Sequence, residues 1–139
     1  MRWPWLIALA APALAALALA GCGFDVQSPD DFLLTRTGQG TTLTLLVNDG
    51  GTIRCNGSKP KPISDALLIH ARDLVDGLSK DAKRSLHIPA PPNSVYQYRI
   101  RLQAGTIAFP DTSAAHREEF ASAEEFVLQA LAGPCSGSS

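Results

Sequence analysis

No two of the three histidines, His70, His87 and His116, stand four residues apart, so no helix offers the paired imidazoles that grip zinc from one face. No CxxC occurs, and no histidine lies at ligand spacing from a cysteine, which leaves little basis for a redox or zinc motif. No G-x-S-x-G turn marks an activated serine. Glu118 and Glu119 are adjacent, so on a helix their carboxylates diverge instead of converging on one substrate atom for acid and base work. Excess charge of one sign is missing too: 12 Lys and Arg against 13 Asp and Glu leave a formal net of −1, without the basic footprint of a nucleic-acid binder.

The N-terminus is more explicit. Arg2 forms a one-residue positive region, and Leu6 to Ala20 is an apolar stretch, too short for the roughly 20 residues of a spanning helix. It ends in Leu19-Ala20-Gly21-Cys22. That pattern resembles the lipobox of bacterial lipoprotein signals, and the resemblance implies removal of residues 1–21 and a diacylglyceryl group on the thiol of Cys22. An ordinary signal peptide with a chance cysteine, or an uncleaved anchor, are the alternatives. Two or more acyl chains, at about 0.8 kcal/mol per buried CH₂, make a stable tether to a membrane. The implied location is the extracytoplasmic face of a cell membrane.

Of 139 residues, removal of 21 leaves 118, and loss of Arg2 changes the net charge to −2. That is one domain's worth of chain. Residues 22–30 are polar, contain Pro29 and read as a tether; residues 31–135 read as the domain and 136–139 as a disordered tail. Phe32 to Leu34 is a short apolar run ended by a turn at Thr37-Gly38-Gln39-Gly40. Thr42 to Asn48 alternates, with Leu43, Leu45 and Val47 on one face. Asp49-Gly50-Gly51 then turns the chain into Thr52 to Asn56, where Ile53 and Cys55 share a face, so the two form a hairpin.

Asn56 to Pro62 reads as a loop, and Ser64 as the N-cap of a helix whose Leu67, Leu68, Ala71, Leu74, Val75 and Leu78 fall on one stripe. Lys80, Lys83 and Arg84 suit the C-terminal end of its macrodipole. The prolines between His87 and Asn93 dictate an extended loop. Val95 to Gln103 alternates again, with Tyr96, Tyr98, Ile100 and Leu102 opposite Gln97, Arg99, Arg101 and Gln103. Ala104-Gly105 reverses the chain into Thr106 to Phe109. Ser113 to Ala132 reads as helical, with a capping box at Ser122 and Glu125 where the helix starts or restarts, and Gly133 at its C′ position. This order predicts an α+β domain, an antiparallel sheet of about five strands with two helices on one face. The other face is left open.

With Cys22 assigned to lipid, Cys55 and Cys135 remain as an even pair in a secreted chain, which favours a disulfide between them over a redox pair or metal ligands. The candidate binding surface consists of Arg54, Arg99 and Arg101 on the open sheet face, together with Arg36. Arg36-Thr37-Gly38-Gln39-Gly40, followed by strands, a helix, a hairpin and a closing helix, resembles the emfourin family of small proteinaceous inhibitors of thermolysin-type metalloproteases. The resemblance implies an inhibitory role for the Arg36 to Gly40 turn, and a plain β-turn is its simpler reading. The chain departs from that family in its lipoprotein signal, its two further cysteines and its Pro-rich insertion. The expected function is noncatalytic binding of an envelope protein or peptide, with no cofactor and no nucleic acid. The alternative is an envelope hydrolase or metal-dependent enzyme using His70, with Asp73 near it on the helix, or His116.

Overall fold

The computed structural model describes residues 30–138; the signal segment, Cys22 and the tether up to Pro29 lie outside the described residues. Six antiparallel strands form one sheet in the order β4-β3-β2-β1-β5-β6, comprising β1 (Asp30–Gly38), β2 (Thr41–Asn48), β3 (Thr52–Cys55), β4 (Lys61–Pro62), β5 (Gln97–Leu102) and β6 (Gly105–Pro110). Helices α1 (Asp65–Lys83) and α2 (Glu118–Ala132) pack together on one face. The fold is α+β, as the element order predicts. Among the described residues no helix is long and apolar enough to cross a membrane.

The alternating residues form the core. Leu43, Leu45, Val47, Ile53, Tyr98, Ile100, Leu102, Ile107 and Phe109 are buried beneath Leu67, Ala71, Leu74 and Leu78 of α1 and Phe120, Ala123, Phe126 and Val127 of α2. Removing each large side chain from water is worth about 1.5–3 kcal/mol. The Phe109 and Phe120 rings stack 4.0 Å apart, so β6 and α2 are held at one fixed place. Ser64 caps α1 as its sequence position predicts, its Oγ accepting from the Leu67 N–H at 3.2 Å.

The hairpin turns follow the local chemistry. Gln39 and Gly40 both have positive φ, 52° and 73°, and Gly38 pairs with Thr41, which is the two-residue primed turn that matches strand twist. Between β2 and β3 the loop is Asp49-Gly50-Gly51, closed by the Gly51 N–H on the Asn48 carbonyl at 2.9 Å.

The structure corrects five expectations. Lys61–Pro62, read as loop, is a two-residue edge strand paired with Thr52 and Ile53; a segment so short, ending in proline, carries no period to read. The last helix begins at Glu118 rather than near Ser113, because Asp111–Ser113 is a 3-10 turn and the chain bends again before Arg117. Ser122 lies inside that helix and caps nothing, and Gly133 ends it with φ −123°, not in the left-handed region. Residues 136–138 are not a loose tail: they turn back, and the Ser138 carbonyl accepts from Asn56 Nδ2 at 2.9 Å.

Cys55 and Cys135 are joined in a disulfide, with Cα atoms 5.7 Å apart. Both are buried, so the bond fastens the segment after α2 to the end of β3. Lys61 Nζ, donating to the Pro134 carbonyl at 3.1 Å, supports the same junction.

Candidate functional site

Cross-strand partners share a face, so the strand register fixes what the open side presents. One row runs Arg54, Leu46, Leu33, Arg101 across β3, β2, β1 and β5, and the next places Thr44, Thr35 and Arg99 together. The result is a concavity of ≈ 610 Å³ with Leu33, Leu46, Thr35, Thr42 and Thr44 as its floor and Arg54 and Arg101 at its sides. Its volume is in the range of sites that accept a ligand or a partner's side chains. Arg54 and Arg99 are exposed, whereas Arg101 is half-buried and already has a partner within the chain. The structure therefore gathers three of the four sequence-named arginines onto one face.

Arg36 is not among them. It lies opposite Leu43 and Tyr98, both buried in the core, so it points to the helix side of the sheet at its far end. There its guanidinium lies 4.5 Å above the Tyr96 ring, and the Tyr96 hydroxyl donates to Gln39 Oε1 at 3.0 Å. Phe32, Leu33 and Leu34 are all buried, so the sequence does not tell which parity of β1 faces the core; from Phe32 onward the register is unbroken and sets Arg36 on the same side as Phe32 and Leu34. The Arg36 to Gly40 turn is a separate feature, clamped by Tyr96.

His70 is held between the helices. One ring nitrogen, Nε2, lies 2.9 Å from Ser122 Oγ, and the other, Nδ1, lies 3.1 Å from Gln129 Oε1. Gln129 Nε2 in turn donates to Glu125 at 3.0 Å, and the imidazole meets the Phe126 ring edge-on with centroids 5.5 Å apart. Asp73, the partner that helical spacing proposes, takes no part in these bonds. A serine hydrogen-bonded to an oriented imidazole has the outline of a nucleophile and its base. Ser122 lies within α2, however, and the second nitrogen of its imidazole partner is engaged by the Gln129 side chain and not by an orienting carboxylate. The nearest cavity, ≈ 170 Å³ between Asp73, Gly77, Glu118, Glu119 and Ser122, is small for a substrate. The geometry is that of a polar clasp joining α1 to α2. His116 is exposed in the turn before α2. Among the described residues no three His, Cys, Asp or Glu side chains group as metal ligands.

Two carboxylates position the surrounding loops, and sequence reasoning passed over both. Asp81, 3 % exposed at the end of α1, accepts from Arg84 at 2.6 Å and from Arg117 just before α2. The Arg84 hydrogen bond, aided by Arg117, outweighs burial and holds its carboxyl below the usual range. Asp111 accepts from Ser94 Oγ and from the backbone N–H groups of Val95, Tyr96 and Thr112. Burial alone would raise Asp111, but these four donors together lower it.

A carboxylate whose folded pKa is depressed contributes stability that is complete above its unfolded value and is lost as pH falls through the folded one. The chain therefore loses stability on acidification below about pH 4. Asp31 and Glu124, whose pKa values burial raises, act with the opposite sign and soften that loss. Asp111→Asn lowers unfolding free energy at pH 7 by about 2 kcal/mol and flattens the acid limb, as denaturant unfolding between pH 3 and 7 would show. An unchanged acid limb would refute the assignment.

Comparison of this chain with protein-family models, with curated proteins and with solved structures finds no match in any of the three.

Proposed function

We propose that this chain is a lipid-anchored, extracytoplasmic, noncatalytic module that binds an envelope protein or peptide through the open face of its sheet. The observation that carries the reading is the pairing of exposed Arg54 and Arg99 with a floor of leucine and threonine on the side away from both helices. Anchoring rests on Leu19-Ala20-Gly21-Cys22. The eight steps from Cys22 to Asp30 reach at most roughly 27 Å, so the domain stays close to its membrane. Catalysis by His70 or His116 is the poorer reading, since the former is engaged at both nitrogens by helix side chains and the latter has no cluster of metal ligands around it among the described residues.

The test places a photo-crosslinking side chain at Thr44, on the open face, or at Leu128, which is 64 % exposed on α2. In the full chain expressed in its envelope, Thr44 yields a discrete adduct and Leu128 yields none. Adducts from Leu128 alone, or from neither position, would remove the basis for the reading. Metabolic fatty-acid labelling of wild type and Cys22→Ser tests the anchor in the same cells; equal labelling of the two would contradict it.

A second reading, inhibition of a thermolysin-type metalloprotease, is favoured by the Gln39-Gly40 turn, which has both φ values positive and is braced by Tyr96 and Arg36. A rigid exposed turn loses little entropy on entering a cleft. Titration of thermolysin with the chain checks it directly: slowed peptide hydrolysis supports inhibition, and an unaffected rate counts against it.

A further inference from the structure

We propose that the partner seats an acidic amphipathic α-helix in the trough of the open sheet face, an inference that rests on the binding reading above. The floor is made by β1 and β2, and each of these strands has a hydrogen-bonded neighbour on both sides. An extended peptide laid on that floor finds no ladder to join, and its backbone N–H and C=O groups would be buried unpaired. A helix satisfies its backbone internally and needs only side chains to make contact. The chain's own α1 and α2 already cover the opposite face in this way.

The width agrees. Arg54 on β3 and Arg101 on β5 are separated by β2 and β1, so three inter-strand steps of about 4.8 Å put the walls roughly 14 Å apart. A helix with its side chains is about 10–12 Å across. Leu33 and Leu46 meet an apolar ridge along such a helix, and the threonines Thr35 and Thr44 continue the floor with methyl and hydroxyl groups. Arg54 and Arg99 stand exposed on the two sides of a floor of leucine and threonine, and Asp30, beside Leu46 and Arg54, lies at the end of the face, where Asn48 Nδ2 donates to it. Carboxylates flanking both edges of the ridge complete the charges; lysines there would be repelled.

A synthetic helical peptide of about three heptads, with leucine along one stripe and glutamate on both flanks, is the probe. Fluorescence anisotropy follows its binding to the full chain in detergent. The glutamate peptide binds at least about tenfold more tightly than a lysine-flanked copy or a proline-interrupted copy of the same length. Arg54→Glu with Arg99→Glu weakens it about tenfold or more, as does raising the salt, while the variant melts at the wild-type temperature because both side chains are exposed. Equal binding of the lysine or proline copies, indifference to the double reversal, or no saturation at about 1 mM overturns the proposal. So does displacement of the peptide from Arg54 and Arg99 by vesicles rich in phosphatidylglycerol, which would make the face a lipid-headgroup site. The two readings fail separately: if Thr44 crosslinks to a partner through a segment that is neither helical nor acidic, the module survives and the helix does not, whereas absence of any Thr44 adduct removes both.

Discussion

Replacing Cys55 and Cys135 together by alanine lowers the unfolding free energy by about 3–4 kcal/mol and the melting temperature by more than about 10 °C. The bond spans 80 residues and so removes a large share of the freedom of the unfolded chain, worth roughly 4 kcal/mol on the loop-entropy model. In the folded state both sulfurs are buried, and the segment they fasten follows the last helix, where Pro134 already prevents continuation. Without the bond, Lys61 and Asn56 are left with one exposed hydrogen bond each to hold residues 134–138. For a domain whose total stability is typically about 5–15 kcal/mol, such a loss is a large fraction. Thermal melts of the double variant, with and without reductant, measure it. A shift of only one or two degrees would mean that the end of α2 is secured without the disulfide.

Gly38→Ala produces the second large effect, a loss of about 3 kcal/mol. A Cβ at Gly38 would sit 2.1 Å from the Val95 carbonyl oxygen and 2.7 Å from Tyr96 Cδ1. The first obstacle is backbone, fixed by the Asp111 carboxylate that holds the Val95 and Tyr96 N–H groups, so the segment cannot move aside cheaply. Gly40→Ala, two residues on, meets nothing within 4 Å. Its cost arises only from its positive φ of 73° and is about 1 kcal/mol. Denaturant unfolding of the two variants separates contact from conformation: the close-approach account requires Gly38→Ala to be clearly the worse, and equal losses would contradict it. If the turn also serves as an inhibitory projection, Gly38→Ala weakens inhibition by displacing it from Tyr96.

Much of this fold is written locally. Alternation in Thr42 to Asn48 and in Tyr96 to Leu102 is enough to orient two strands, and the Leu67 to Leu78 stripe with Ser64 before it is enough to define a helix and its start. The parity of cysteines left after Cys22 points to the Cys55 to Cys135 pair. What escapes a reading along the chain depends on partners far away in sequence. Ser122 and Glu125 have the spacing of a capping box, yet Ser122 is taken by His70, 52 residues earlier, and Glu125 by Gln129. Arg36 resembles the other arginines of the strands until the register sets it over Tyr96, 60 positions on in the chain. Asp81 and Asp111 look like ordinary surface acids, and only the packing of α1 against α2 and of the Pro-rich loop against β6 makes them hubs.

The distinction between the open sheet face and the histidine clasp as the working surface can be measured in one assay. The Thr44 crosslink is carried into two backgrounds, Arg54→Glu with Arg99→Glu, and His70→Ala with Ser122→Ala. The account predicts that the adduct disappears in the first and persists in the second at the level of the parent chain. Persistence in the first together with loss in the second, both variants remaining folded, would contradict the account and return attention to His70.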